Sequence, residues 1–216
     1  MQNLSLTNSY IPAGASDHPL GGLGFTNLIL EIAAQESSMG VFFDTLVICS
    51  VTGSSHAGCV VGAVAEGRKR KIIGIDASAK PAATRAQVLR IARNTAKMLD
   101  EGLEIKDDDV ILDERFHAGI YGIPDEGTIE AMKCESTAGR PGGISKSQTG
   151  RVGTKLIVVA ASTDSMITDP VYEGKSMAGM IQLIKEGAIQ AGSNVLYIHL
   201  GGQPALNAYS SYFPHN

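Results

Sequence analysis

The stretch VICSVTGSSHAG, residues 47–58, joins an apolar run to a loop of Thr, Gly and Ser, and small residues compatible with a helix follow at once. In an open parallel sheet, ligands bind beyond the carboxyl ends of the strands. The start of the following helix directs free N–H groups and its positive dipole end to the same place. The stretch therefore predicts an anion-binding loop made of Thr52, Gly53, Ser54 and Ser55. It matches neither the Walker motif nor G-x-G-x-x-G, so a purely structural Ser/Gly turn is the alternative.

Outward from this stretch, β-prone apolar runs alternate with helix-like segments. Strands are predicted over 44–51, 71–78, 108–114 and 193–202, the last ending in a glycine turn. Helices are predicted over 27–36, 57–67, 82–102, 125–133 (with Asp125 or Thr128 as its cap) and, after a short loop, within 169–187. The glycine-rich residues 11–25 predict turns, and residues 1–10 carry no clear period. This alternation predicts an α/β protein with a doubly wound, mostly parallel sheet.

Composition excludes several classes of protein. The net charge of −4 argues against a nucleic-acid binder, and we expect the basic cluster at 68–71 to be a solvated turn. The apolar runs are shorter than the roughly 18 residues of a membrane span, and no basic-then-apolar signal segment opens the sequence. Three cysteines fit no metal spacing; Cys49 lies in an apolar run and is interpreted as a core residue. We therefore expect a cytoplasmic protein without a metal site.

Two histidines are candidates for chemistry, and both have a simpler interpretation. His56 stands at the start of a predicted helix, where a capping or phosphate-facing role is favoured over that of a general base. His18 lies in the turn SDHPLGG, where a turn hydrogen bond is favoured. No Ser-His-Asp arrangement can be assembled. Reasoning from residue types alone thus ends at an α/β domain with an anion site.

Six segments in order resemble a known family. They are IPAGASDHPLGGLGF (11–25), FFDTLVICSVTGSSHAG (42–58), IIGIDASAKPAATRAQVLRIARNTA (72–96), VILDERFHAGIYGIPDEGTIEAM (110–132), TDPVYEGKSMAGMI (168–181) and VLYIHLGGQPALNAYS (195–210). Together they are similar to the 1-aminocyclopropane-1-carboxylate (ACC) deaminases. The resemblance implies a fold type II (tryptophan-synthase-β-like) enzyme that uses pyridoxal 5′-phosphate (PLP). The implied reaction, a hydrolase-type deamination in amine catabolism, converts ACC and water to 2-oxobutanoate and ammonia.

The resemblance also implies site residues. The loop of Thr52, Gly53, Ser54 and Ser55 would hold the PLP phosphate. Glu173 would lie against the pyridine nitrogen, and Leu200 beside the cofactor. Tyr121 and Tyr172 would be the active-site tyrosines, for which a lowered phenol pKa is considered. Where His56 stands, the family has Gln or an apolar residue, so the resemblance gives that histidine no role.

Two short motifs separate this sequence from close relatives. D-cysteine desulfhydrases resemble VYSGK and HTGG where this chain has VYEGK and HLGG, the deaminase versions, at Glu173 and Leu200. A D-cysteine desulfhydrase-like enzyme is therefore the alternative enzymatic interpretation. As partners the resemblance implies an amino-acid substrate and, for a complete protein, a homo-oligomer.

The resemblance also shows what these 216 residues lack. The family's Schiff-base lysine lies in a G-G-N-K-(T/S)-R-K-like segment and its catalytic serine in an S-N-(Q/H)-T-R-like segment, and neither pattern occurs. Residues 11–216 resemble the C-terminal portion of the family's PLP-binding large domain, incomplete at the N-terminus, with residues 134–159 as an atypical insertion. We therefore expect the chain to be inactive alone. A non-catalytic fragment, or a partner of a full-length homologue, is the alternative.

Overall fold

The computed structural model describes residue 18 and residues 20–129, 131–132 and 167–212. The predicted irregular segment 1–10 lies outside the described residues, as does the predicted insertion at 134–159 with Cys134. Among the helices of the described ranges, none is both long and apolar enough to cross a membrane.

A four-stranded parallel sheet forms the centre of the described protein. Its strands are β1 (Thr45–Ser50), β2 (Lys71–Asp76), β3 (Ile111–Asp113) and β4 (Val195–Ile198). They lie in the order β3-β2-β1-β4, and every pairing is parallel. The chain therefore builds the sheet outward from β1 to β3 and then crosses back to place β4 on the other side of β1. This arrangement confirms the predicted α/β fold with a parallel sheet.

Helices cover both faces of the sheet, as its double winding requires. They are α1 (Leu23–Met39), α2 (Ser54–Glu66), α3 (Pro81–Leu99) and α4 (Glu173–Lys185). Residues 126–129 and 131–132 are also helical, and Asp125 is their cap because its Oδ1 accepts hydrogen bonds from the N–H and the hydroxyl of Thr128 at 2.8 and 2.6 Å. Short 3-10 segments occupy Asp107–Asp109 and Gln203–Tyr212.

The start of α1 differs from the sequence-based expectation. Residues 23–25, predicted to form turns, are helical, and the glycines that pack closely here, Gly22 and Gly58, lie at the start of α1 and in α2. A Cβ on Gly22 would lie 2.4 Å from the hydroxyl of Thr95, and one on Gly58 would lie 2.2 Å from the carbonyl oxygen of Gly22. These glycines let α1 approach α2 and α3 closely.

Alternate residues of β1 contribute to two separate cores. Leu46 and Ile48 belong to the core under α1, α2 and α3, whereas Val47 belongs to the core under α4. Cys49 and Cys59 are buried free thiols. The structure thus confirms the prediction that 44–51 contains a strand buried on both faces and that Cys49 is a core residue.

The expectation of a solvated basic turn at 68–71 is wrong for Arg70. Its guanidinium is fully buried and pairs with Glu36 at 2.7 Å and with Glu66 at 3.0 Å. Arg68 pairs with the same two glutamates, and both guanidinium groups lie over the ring of Phe42. The cluster therefore joins α1, α2 and the start of β2.

Candidate active site

A cavity of about 460 Å³ opens beyond the carboxyl ends of β1 and β4. Of the residues predicted for the site, all except Ser54 line it; the lining comprises Cys49, Val51, Thr52, Gly53, Ser55, His56, Tyr121, Tyr172, Glu173, Leu200, Gly201 and Gly202. The fold therefore brings together segments that are distant in the sequence. This is the position at which an open parallel sheet binds ligands.

One wall of the cavity is the loop between β1 and α2. Gly53 has a left-handed backbone (φ 87°), and a Cβ there would lie 2.8 Å from Cγ2 of Val88 in α3, so both its conformation and its packing require glycine. The first hydrogen bond of α2 runs from Ala57 N–H to the carbonyl oxygen of Gly53 at 2.8 Å. The N–H groups of Ser54 and Ser55 precede it, so the helix itself does not use them. This wall can bind an anionic group through backbone donors and the helix dipole.

The opposite wall carries a buried carboxylate. Glu173, the first residue of α4, is 1% exposed. Its Oε2 accepts a hydrogen bond from the hydroxyl of Tyr197 at 2.6 Å, and its Oε1 accepts one from Leu200 N–H at 3.3 Å. Burial raises the pKa of Glu173, and the hydrogen bond from Tyr197 opposes that rise. A carboxyl group in this state can share a proton with a basic ring nitrogen placed in the cavity.

Asp169 shapes the segment that carries Tyr172 and Glu173. Its carboxylate is buried and accepts hydrogen bonds from the N–H groups of Val171, Tyr172 and Glu173 at 2.8, 3.0 and 2.9 Å. A Cβ on Gly202 would lie 2.4 Å from Oδ1 of Asp169, so the glycine turn packs directly on this carboxylate. Asp169 was not predicted as a site residue, although aspartate side chains commonly accept hydrogen bonds from backbone N–H groups shortly after them.

Tyr121 and Tyr172, for which the resemblance implies an active-site role, meet at the cavity. Their hydroxyl groups are hydrogen-bonded to each other, and their ring centroids lie 6.1 Å apart. The hydrogen bond with Tyr121, together with burial, raises the pKa of Tyr172. This direction is opposite to the lowered phenol pKa considered from the sequence, so Tyr172 keeps its proton at neutral pH and can donate it.

His56 is buried, and its ring packs on the backbone of β2. Its Nδ1 lies 3.2 Å from Oγ of Ser50, while Nε2 has no hydrogen-bond partner in the part of the chain that the structure describes. Burial, with a smaller contribution from Arg85, lowers the pKa of His56 to about 4. The imidazole is therefore neutral at physiological pH. His18 is exposed, and its Nδ1 accepts a hydrogen bond from Leu20 N–H at 3.1 Å, which confirms the predicted turn hydrogen bond.

Comparison with known proteins identifies the family. The family model described as "Pyridoxal-phosphate dependent enzyme" matches residues 1–139, which include the loop at 52–55 and Tyr121. The chain belongs to this family. Its members are grouped by their use of PLP, so the cavity lies in a protein of the class that the sequence resemblance implied.

Relatives within the PLP-dependent family extend the match over nearly the whole chain. A protein named probable 1-aminocyclopropane-1-carboxylate deaminase from Cryptococcus neoformans var. neoformans serotype D is 71% identical over 206 residues, covering 95% of this chain and 52% of that protein. A 1-aminocyclopropane-1-carboxylate deaminase from Ralstonia pickettii is 51% identical over 203 residues, covering 94% of this chain and 53% of that protein. The chain thus spans about half the length of these relatives.

A solved structure supports the fold independently. The crystal structure of an ACC deaminase homologue aligns with a TM-score of 0.71 and 22% sequence identity, covering 94% of this chain and 53% of that chain. At this identity the match supports the fold alone, and it agrees with the parallel α/β architecture described above.

Proposed function

We propose that this chain forms the cofactor-binding portion of a PLP-dependent ACC deaminase. The observation that carries the proposal is the placement of an anion-binding helix start and a buried carboxylate, Glu173, around one cavity together with a hydrogen-bonded tyrosine pair. The high identity to a relative named as a probable ACC deaminase supports ACC as the substrate. The reaction proposed for the complete enzyme is ACC and water to 2-oxobutanoate and ammonia.

The loop between β1 and α2 is proposed to hold the phosphate of PLP. The N–H groups of Ser54 and Ser55 would donate to the phosphate oxygens, and the hydroxyls of Thr52 and Ser55 would add further donors. Charge-assisted hydrogen bonds to a phosphate are among the stronger ones in proteins. Gly53 contributes by its left-handed backbone, which turns the chain from β1 into α2. His56, being neutral and buried, contributes no charge to this end of the site.

Glu173 and Leu200 are proposed to hold the pyridine ring. The Glu173 carboxylate would accept a hydrogen bond from the protonated ring nitrogen, and Leu200 N–H already orients the other carboxylate oxygen. When bound, PLP would supply an electron sink for the substrate α-carbon, and Glu173 would strengthen that sink by keeping the ring nitrogen protonated. The hydrogen bond from Tyr197 fixes the carboxylate toward the ring without neutralising it.

Tyr121 and Tyr172 are proposed to handle protons at the substrate. Because the pKa of Tyr172 is raised, its hydroxyl is a proton donor in the resting site. Tyr121 is half exposed at the cavity, where its hydroxyl is hydrogen-bonded to that of Tyr172 and would also reach the substrate. The pair can therefore pass a proton between the substrate and the Tyr172 oxygen as the cyclopropane ring opens.

The sequence does not contain the segment that carries the PLP-binding lysine in the family. Lys175, the lysine nearest Glu173 in sequence, is fully buried, and its Nζ donates to the carbonyl oxygen of His117 at 3.0 Å. It is not among the residues that line the cavity. We propose that the isolated chain of 216 residues binds PLP without a covalent link and does not turn over ACC.

The compartment, reaction class and assembly belong to the same proposal. The buried free thiols Cys49 and Cys59 support a reducing compartment such as the cytoplasm. The consumption of water makes the reaction a hydrolase reaction. A homo-oligomer is proposed for the complete protein on the family resemblance alone.

The test uses the purified chain with added PLP. We expect PLP to bind more tightly than pyridoxal, which lacks the phosphate, and we expect neither a borohydride-fixed lysine nor 2-oxobutanoate from ACC. Replacing Glu173 with Gln is expected to weaken PLP binding by about tenfold, because a hydrogen bond to a charged group is lost. Glu101→Gln, at an exposed position, serves as the control.

Two outcomes would contradict the proposal. Equal affinity for PLP and pyridoxal would show that the loop at 52–55 does not bind the phosphate. A single lysine modified by borohydride, together with 2-oxobutanoate formation, would show that the isolated chain is a complete enzyme. D-cysteine is the second substrate to assay, since sulfide release without 2-oxobutanoate from ACC would favour the desulfhydrase alternative.

A further inference from the structure

The loop that carries Tyr121 has an unfavourable backbone conformation. This tyrosine loop, residues 114–125, follows β3 and contains left-handed residues at Ala118 (φ 59°), Gly119 (φ 75°) and Gly122 (φ 79°). A residue with a Cβ, such as Ala118, loses about 1–2 kcal/mol in this region. Contacts from other elements must therefore hold the loop in the position that brings Tyr121 to Tyr172.

The first such contact comes from a buried lysine in α4. The side chain of Lys175 is fully buried, and its ammonium donates a hydrogen bond to the carbonyl oxygen of His117 at 3.0 Å. Burial lowers the pKa of Lys175, and the negative charges of Asp125, Asp76 and Asp169, among others, oppose that shift. Lys175 is two residues beyond Glu173, so one helix both presents the carboxylate and holds the tyrosine loop.

The second contact comes from the C-terminal 3-10 segment. The hydroxyl of Tyr209 donates a hydrogen bond to the carbonyl oxygen of Gly122 at 2.6 Å, next to Tyr121 in the sequence. Tyr209 follows the glycine turn at 201–202. The residue before this turn is Leu200, whose N–H donates to the carboxylate of Glu173. The loop is thus attached on one side to α4 and on the other to the segment after β4.

We propose that Lys175 and Tyr209 are positioning residues that hold the tyrosine loop so that Tyr121 can hydrogen-bond to Tyr172. Neither side chain lines the cavity, and both act through backbone carbonyl groups of the loop. The catalytic meaning of this arrangement rests on the proposed function. The positioning itself is a property of the chain, and it can be measured without any turnover.

Tyr209→Phe is the decisive variant, because it removes one hydroxyl group and keeps the ring. The chain has six tyrosines and no tryptophan, so the full chain labelled at the tyrosine ring carbon that bears the hydroxyl gives a readable NMR spectrum. Tyr121→Phe and Tyr172→Phe assign the two signals and show how each one moves when their mutual hydrogen bond is lost. Tyr212→Phe is the matched control, since its ring packs against that of Tyr209 with centroids 6.0 Å apart.

We expect Tyr209→Phe to shift the Tyr172 signal in the direction produced by Tyr121→Phe, and Tyr212→Phe to leave it in place. Lys175→Met is expected to cause the same shift. If it does not fold, the Tyr209→Phe result decides alone. An unchanged Tyr172 signal in Tyr209→Phe, with an unchanged circular dichroism spectrum, would overturn the proposal. The NMR measurement needs no ACC turnover, so a failure of this proposal can be distinguished from a failure of the proposed function.

Discussion

The buried ring of His56 explains a glycine in the middle of a strand. Glycine weakens strand interiors, yet Gly74 lies within β2. A Cβ at this position would lie 2.3 Å from Cε1 and 2.4 Å from Nδ1 of His56. The imidazole therefore occupies the space that a side chain at position 74 would need.

We predict a strong coupling between these two positions. Gly74→Ala should lower the free energy of unfolding by about 1–3 kcal/mol, the usual cost of overpacking. In a His56→Ala background, the same change should cost much less, since the space is then free. Urea unfolding of the two single variants and the double variant measures the coupling energy. An equal cost of Gly74→Ala in both backgrounds would contradict the contact.

The sequence did not reveal this contact for a physical reason. His56 follows the loop at a helix start, where capping and anion contact are the usual roles, and these were the roles considered. Its neighbour Gly74 is adjacent only because β2 pairs with β1 in the register that places Gly74 beside Ile48. Strand register depends on tertiary packing, so local pattern cannot place the two residues together.

At the scale of elements, α2 is bounded by a glycine at each end, and the two glycines have different surroundings. Gly53 and Gly67 both adopt left-handed backbones, with φ of 87° and 72°. A Cβ on Gly53 would meet Val88 in α3, whereas nothing lies within 4 Å of a Cβ on Gly67. The two positions therefore separate backbone strain from steric overlap.

We predict that Gly53→Ala is more destabilising than Gly67→Ala. Both changes should cost about 1–2 kcal/mol of backbone strain. Gly53→Ala should cost about 1–3 kcal/mol more, because Val88 must move. Denaturant unfolding of the two variants measures the difference. Equal decreases in the free energy of unfolding would show that Val88 moves aside without cost and would contradict the prediction.

The ion-pair cluster that joins α1 to β2 makes stability depend on pH. Burial alone would raise the pKa of Glu36, but hydrogen bonds from Arg70, from Phe43 N–H and from Arg68 lower it from 4.5 to about 2. Because the folded pKa lies below the unfolded one, this stabilisation is present above pH 4.5 and is lost as the pH falls toward 2. The side chain of Glu36 is only 2% exposed, so solvent screens the effect little.

We predict that Glu36→Gln removes this part of the acid sensitivity. The wild-type chain should lose about 3 kcal/mol through Glu36 between the two pKa values. The variant should be less stable at neutral pH, and its free energy of unfolding should fall less as the pH is lowered. Urea unfolding across this pH range measures both, with Glu31→Gln, an exposed position on the same helix, as the control. Parallel pH profiles for wild type and Glu36→Gln would contradict the assignment.

At the scale of the whole molecule, apolar side chains are exposed beside the cavity. Ile120 and Ile123 of the tyrosine loop are 64% and 46% exposed, and Leu200 across the cavity mouth is 40% exposed. Neighbouring exposed apolar groups favour association. We predict that the chain self-associates as its concentration rises, and that an Ile120→Ser/Ile123→Ser double variant does so less.

Sedimentation velocity over a range of concentrations measures this association. Leu30→Ser is the matched control, because Leu30 is 63% exposed but lies in α1. The prediction fails if the double variant and the control sediment alike at every concentration.

The architecture was more predictable than the interior of the site. Apolar runs at 44–51 and 71–78 and the alternation of strands and helices were sufficient for the parallel α/β fold, because buried strands are continuous in sequence. The family resemblance placed Tyr121 and Glu173, which the structure brings to one cavity. Asp169 and Tyr197 were not found, because their importance comes from hydrogen bonds across elements rather than from a local motif.

The position of β1 between β2 and β4 also determines when the site can exist during synthesis. The loop at 52–55 and the strands β1, β2 and β3 all end by Asp113, whereas Glu173 and β4 follow much later in the sequence. The hydrogen bond from Asn194 N–H to the carboxylate of Asp44 at the base of this pairing joins residues 150 positions apart. Contacts of such long sequence separation form late in folding. A nascent chain therefore holds the loop at 52–55 before it holds the Glu173 carboxylate, and the cavity is completed only after β4 has left the ribosome.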